Sequence, residues 1–134
     1  VRRLQAAVAG WRGWRSGRLR VACTVVLAAV IGVIVFDPDP GTGPGLPPWL
    51  EFTANIVMFS PVGAVAWWWR RSVPRNVAAG LVCTVIIESV QGLLLPLRVA
   101  DPRDVVANTA GALIGSLLCW WIARSAPTIT RTTQ

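Results

Sequence analysis

Glu88, Gln91, Arg98, Asp101, Arg103, Asp104 and Asn108 lie within one nearly apolar stretch, ESVQGLLLPLRVADPRDVVANTAGALIG, residues 88–115. Ionisable and amide groups are costly against lipid, so such groups are turned inward, paired or used. At helical spacing Glu88 and Gln91 share one face, and Asp104, Asn108, Gly111 and Gly115 share another. Glu88 could carry a proton or bind a ligand, or it could be a strut hydrogen-bonded to Asn108, Asn55 or Gln91. The first role is the expected one, because intramembrane acids default to functional sites. Asp101 and Asp104 could bind a cationic or hydroxyl-rich ligand. The preferred reading for them is capping of a following helix, with Pro102 at its first position, together with pairing to Arg98 or Arg103. Asn108 with Gly111 and Gly115 reads as a close-packing face.

The residue types also exclude chemistry. There is no His, which removes the commonest general base and metal ligand. A Ser–His–Asp triad is impossible, and neither a metal nor a cofactor is expected. Cys23, Cys83 and Cys119 sit in apolar runs and read as small packing residues. Hydrophobic residues make up 54% of the 134 and charged residues 14%, against ~25% charged in a typical soluble domain, so the chain reads as a membrane protein. All 13 basic residues are Arg. They flank apolar runs and line no basic groove with interleaved aromatics, so nucleic acid is not an expected partner and the lipid bilayer is.

The elements that must position these residues follow from the apolar runs. Residues 1–20 hold six arginines and read as a basic segment on the cytoplasmic side, either an interfacial helix with Leu4, Val8 and Trp11 on one face or a solvated tail; Gly10, Gly13 and Gly17 weaken a helix there. Four spans are expected, at about 21–36, 52–69, 76–97 and 103–123. The first is a retained helix rather than a cleaved signal, with Thr24, Ala28 and Gly32 as its packing stripe. The second carries Asn55 and Pro61, which frees a carbonyl and predicts a kink, and ends in Trp67, Trp68 and Trp69. The third presents Gly80, Thr84, Glu88 and Gln91 to other helices. The fourth ends at Trp120, Trp121 and Arg124, followed by a polar tail, 124–134. The fold class is therefore all-α, a polytopic four-helix transmembrane bundle.

With both termini cytoplasmic, eleven of the thirteen arginines lie inside, as the positive-inside rule requires. At ~1.5 Å per residue, Glu88 then lies ~13 Å below Leu97, Gln91 ~9 Å, Asn108 ~8 Å and Asn55 ~5 Å from the outer ends of their helices. The inner half of each helix is expected to be apolar, and the polar groups to form a pocket open to the outside.

NIVMFSPVG (55–63), ESVQ (88–91) and R-x-x-D-x-x-D-x-x-x-N-x-x-G (98–111) occur in this order and resemble the core of the VanZ-like membrane proteins over roughly residues 50–118. By position the resemblance carries over Asn55, Pro61, Gly63, Glu88, Gln91, Arg98, Asp101, Asp104, Asn108 and Gly111. Where the family often has an aromatic before its first Asp, this chain has Val99 and Ala100. The family's founding member is associated with low-level teicoplanin resistance. The resemblance therefore implies a cell-envelope protein of the bacterial plasma membrane, with Asn55, Glu88, Gln91, Arg98, Asp101, Asp104 and Asn108 as binding residues for an amphiphile or a cell-wall-precursor group.

Two other classes compete with this non-enzymatic reading. An intramembrane enzyme on a lipid-linked substrate would use Glu88 as acid/base and Arg98 to hold a phosphate, but no nucleophile–base pair stands at helical spacing. A small proton-coupled transporter would need two copies to enclose a path, so a homodimer stays open.

The topology is tested by cysteine labelling in a background with Cys23, Cys83 and Cys119 replaced. Gly43→Cys should react with an impermeant maleimide in intact cells, and Val73→Cys only after permeabilisation. The reverse pattern overturns the orientation.

Overall fold

The computed structural model describes the backbone of residues 2–37, 47–95 and 101–125, and side chains from residue 16 onward. Its helices are α1 (Arg2–Val35), α2 (Pro48–Trp69), α3 (Val73–Leu94) and α4 (Pro102–Ser125). Ser16–Val35 of α1 and the whole of α2, α3 and α4 are long and apolar enough to cross a membrane.

The distribution of side chains is the reverse of a water-soluble protein's. Val26, Val33, Leu93, Trp121 and Ile122 are all more than 60% exposed, whereas Asn76, Thr84, Glu88, Gln91, Asn108 and Ser116 are buried. An exterior of this kind is stable only in an apolar solvent, and there polar groups must find partners inside the protein.

The helix ends differ from the sequence expectation in ways that proline explains. α2 and α3 start earlier than expected, at Pro48 and Val73, because proline in the first turn gives up an N–H that has no helical partner anyway. Glu51 also lies in the first turn of α2, favourably placed on the helix dipole. α3 stops at Leu94 rather than residue 97. Leu95 is extended, as Pro96 demands of the residue before it. The basic segment and the first span form one helix without a break at residue 20. Each internal glycine costs only ~1 kcal/mol, too little to break a helix already propagating from an apolar span. Helix α2 runs without a break through Pro61.

The bundle alternates up and down, and the closest pair is α2 with α4, which run parallel. Three glycines set that approach. A Cβ on Gly115 would fall on the Ser60 carbonyl oxygen, one on Gly111 on the Ile56 carbonyl oxygen, and one on Gly63 on the Ala112 carbonyl oxygen. Gly111 and Gly115 thus form a close-packing face as expected, and the helix it meets is α2. The approach of α3 to α4 lies instead at Gly80, where a Cβ would stand 3.0 Å from the Ala112 methyl. The face of α3 is otherwise as expected, with Gly80, Thr84, Glu88 and Gln91 all buried and Asn76 extending it by a turn.

Helix α1 docks through large residues rather than through its small stripe. Ile31 and Val35 are buried with Phe59, and Leu27, Met58, Val62 and Ile87 pack around them. Ala28 is exposed and nothing lies within 4 Å of a Cβ at Gly32. Of that stripe only Thr24 makes a contact, accepting a 2.9 Å hydrogen bond from Trp69 Nε1. Near that end of the bundle Arg20 lies over the rings of Trp68 and Trp69, and Arg124 lies 4.4 Å from the Trp120 centroid.

The helix halves that end in tryptophan, expected to be apolar, hold buried polar groups as well. Ser116 Oγ donates to the Gly63 carbonyl at 3.0 Å, and Asn76 Nδ2 donates to the Arg70 carbonyl at 3.1 Å and to Ser116 Oγ at 3.4 Å. These buried bonds tie α2, α3 and α4 together at the tryptophan end.

Gly115→Ala should therefore destabilise the bundle by about 1–3 kcal/mol, because its methyl meets backbone that cannot swing aside. Gly32→Ala, on open surface, should be neutral or stabilising by up to ~1 kcal/mol. Unfolding in a detergent titration measures both. Equal effects would mean that glycine contacts do not set the α2–α4 distance.

Candidate functional site at the polar end of the bundle

Four helix ends meet opposite the tryptophan end, and each brings one part of the polar cluster. Asn55, near the start of α2, donates through Nδ2 to Asp104 Oδ1 at 2.7 Å, across the α2–α4 contact. Asn108, one turn further along α4, donates through Nδ2 to Thr84 Oγ1 of α3 at 2.9 Å. Gln91, near the end of α3, donates through Nε2 to the Val35 carbonyl at 2.8 Å. That carbonyl is in the last turn of α1, where no helical N–H remains to satisfy it. Gln91 is thus a polar link between α1 and α3 at this end of the bundle.

Glu88 accepts through Oε2 from the backbone N–H of Asp101 at 3.1 Å. The carboxyl therefore stands at the start of α4, where the helix dipole favours negative charge. With α3 ending at Leu94, Glu88 is ~9 Å from the helix end at 1.5 Å per residue. It is nearer the polar end than the count from Leu97 implied. Asp101 caps α4 as expected, its Oδ1 accepting from the Arg103 N–H at 2.8 Å.

These side chains enclose a cavity of about 110 Å³. Its polar wall is Asn55, Glu88, Gln91, Asp104 and Asn108, and its apolar wall is Ile34, Val35, Met58 and Ile87. The structure thus gathers five of the seven expected binding residues around one space. Asp101 does not line it but donates its N–H to Glu88, and Arg98 is outside the described residues. Asn108 is 4% exposed, and its Oδ1 is buried with no hydrogen-bond partner. No three His, Cys, Asp or Glu side chains gather closely enough among the described residues to hold a metal.

Sequence reasoning assigned no bond to the Val35 carbonyl or to Ser116. A backbone acceptor carries no sequence signal. Ser116 adjoins Gly115 and lies four residues after Ala112, a spacing of small residues that hints at its burial.

Four apolar helices with their polar residues turned inward define a multi-pass membrane protein. The family model described as VanZ/LLP1 matches residues 27–123, and the chain belongs to that family. The match reaches back into α1, beyond the motifs at 50–118, and so takes in Ile34 and Val35 of the cavity wall. No curated protein and no solved structure matches the chain.

The Asn108–Thr84 bond should be measurable by a double-mutant cycle. Asn108→Ala, Thr84→Val and the pair should give a coupling of about 0.6 kcal/mol, and no more than about 1.7, the range of interhelical hydrogen bonds in membrane bundles. Zero coupling would mean the bond does not join α3 to α4. Asp101→Ala should cost about 1 kcal/mol, and Asp101→Asn or Asp101→Ser should restore most of it, if the residue only caps.

Proposed function

We propose that this chain is a non-enzymatic cell-envelope protein of the bacterial plasma membrane, with both termini in the cytoplasm. Its polar cavity opens toward the outer surface and recognises the polar group of an amphiphile or of a lipid-linked cell-wall precursor. The observation that carries this reading is the cavity of about 110 Å³ lined by Asn55, Glu88, Gln91, Asp104 and Asn108 beside an apolar wall. A site that is polar at one side and apolar at the other suits a ligand with a head and a chain. The arginine distribution supports the outward orientation. Among the described residues lining the cavity there is no hydroxyl, thiol or amine nucleophile, which favours binding over covalent catalysis.

A lipid-anchored glycopeptide such as teicoplanin partitions into the same layer as lipid-linked precursors. Expression in a teicoplanin-susceptible host should therefore raise the inhibitory concentration of teicoplanin more than that of a glycopeptide without an acyl chain. Glu88→Gln retains an oxygen to accept the Asp101 N–H, so the bundle should reach normal membrane abundance while the protective effect is lost. An equal rise for wild type and Glu88→Gln at matched abundance would leave Glu88 as a strut. No rise with wild type would remove the glycopeptide role.

A further inference from the structure

The geometry points to a second site, at the tryptophan end of the bundle, for one anionic phospholipid. Its acyl chain lies in the groove between α2 and α4, and its phosphate meets Arg71. This site shares no residue with the polar cavity. The groove begins where the glycine contact ends, since Gly115 lies against Ser60 and the backbone nitrogen of Ala64. One turn further along, α2 presents Trp67 and Trp68, followed beyond the helix end by Arg71. Opposite them α4 presents Cys119, Ile122 and Ala123. Small side chains at 64, 119 and 123 do not fill the space beside two indoles, and about 340 Å³ remains. Arg20 lies over Trp68, 5.8 Å from its ring centroid, and helps to fix that wall.

Charge decides the occupant. Arg71 is exposed, and no acid lines the groove. Arg20, Arg70, Arg75 and Arg124 stand at the same end of the bundle. Among the described residues the acids are Asp37, Glu51, Glu88, Asp101 and Asp104, and all of them stand toward the opposite end. A second copy of the chain in the same orientation would therefore set arginine against arginine. A soluble anion would meet Arg71 but leave the apolar groove unfilled. An anionic phospholipid suits both parts, as in other basic pockets between membrane helices.

The indoles give an independent match. Trp69 donates its Nε1–H to Thr24. The N–H groups of Trp67 and Trp68 make no hydrogen bond among the described residues, and neither is buried. An indole N–H only donates, and so does a guanidinium. A phosphate and the ester carbonyls beside it only accept, and Arg can hold a phosphate through two parallel N–H groups. A choline or aminoethyl head would bring a further cation to an end already rich in arginine. At the ~30 Å³ that a water occupies in the liquid, about 340 Å³ holds about eleven heavy atoms. That is a length of one acyl chain, not a whole lipid.

The test uses the full chain in neutral maltoside micelles, with thermal unfolding and native mass spectrometry as readouts. Phosphatidylglycerol should stabilise the protein saturably and remain as one bound lipid per chain. Phosphatidylcholine with the same acyl chains should bind about tenfold more weakly, and glycerophosphate, which has no chain, should not act at comparable concentrations. Arg71→Gln removes the charge, and Ala123→Leu fills the groove from an exposed position. Each should weaken the phosphatidylglycerol response about tenfold. Arg75→Gln, at an exposed arginine outside the groove, should leave the response unchanged. Equal responses to the two lipids, or equal losses in Arg71→Gln and Arg75→Gln, overturn the site as a general attraction of the basic surface. A response unchanged in Ala123→Leu overturns the seat of the acyl chain. A dimer that phosphatidylglycerol does not displace and that Ala123→Leu breaks makes a second copy the occupant and overturns the lipid. No saturable response to either lipid overturns the site outright.

Discussion

The α2–α4 contact is the constraint on which the rest of the molecule depends. Gly63, Gly111 and Gly115 place backbone directly against backbone, so these two helices have one permitted separation. In lipid no hydrophobic force draws helices together, and close packing of small residues does much of that work. The consequence reaches the polar end. Asn55 and Asp104 lie on the same pair of helices, 2.7 Å apart, and their bond exists because the glycines a few turns along allow the approach. Asn108, one turn further along α4, then reaches Thr84 of α3.

The two ends of the bundle solve different problems. At one end tryptophans and arginines sit together, with Arg20 over Trp68 and Trp69 and Arg124 over Trp120. Such residues anchor a helix at the lipid–water boundary and fix its depth. The clamp of Asn76, Ser116 and the Gly63 carbonyl is buried there and encloses bonds rather than space. At the other end the polar residues enclose a cavity. The same residue types therefore serve packing at one end and surround an open volume at the other. The room at the tryptophan end lies apart from the clamp, in a largely apolar groove of about 340 Å³ between α2 and α4 lined by Trp67, Trp68, Arg71 and Cys119.

Much of this was legible in the sequence. Apolar run length determines the four helices, because a spanning segment cannot be short or charged. The stripe at Gly80, Thr84, Glu88 and Gln91 was readable because burying polar groups is the only inexpensive place for them in lipid, and all four are buried. The direction in which a small residue faces was less legible. Thr24, Ala28 and Gly32 have the spacing of a packing stripe, yet α1 docks through Leu27, Ile31 and Val35. Helical period identifies a face and not its neighbour. Gly111 and Asn108 likewise share a face in sequence but serve different partners, since α4 lies between two helices. The role of Gln91 was hidden for another reason. Its partner is a backbone carbonyl of α1, 56 residues away, and no side-chain pattern records that.

Capping alone does not account for the acids at the start of α4. One carboxylate suffices to cap a helix, and Asp101 does so through the Arg103 N–H. Asp104 adds a second acid in the first turn, and Glu88 brings a third from α3 to the Asp101 N–H. Favourable interaction with the helix dipole is worth a few tenths of a kcal/mol to about 1 kcal/mol per charge and falls off within a turn. That is small beside the cost of holding acids among apolar helices. Asp104 could be anchored by Asn55 as a packing bond, but a shorter apolar side chain at position 88 would fill space without that cost. The acids Glu88 and Asp104 also line a cavity, together with Asn55, Gln91 and Asn108. An open volume bounded by acids and amides on one side and by apolar side chains on the other is the feature of this bundle that helix packing does not require.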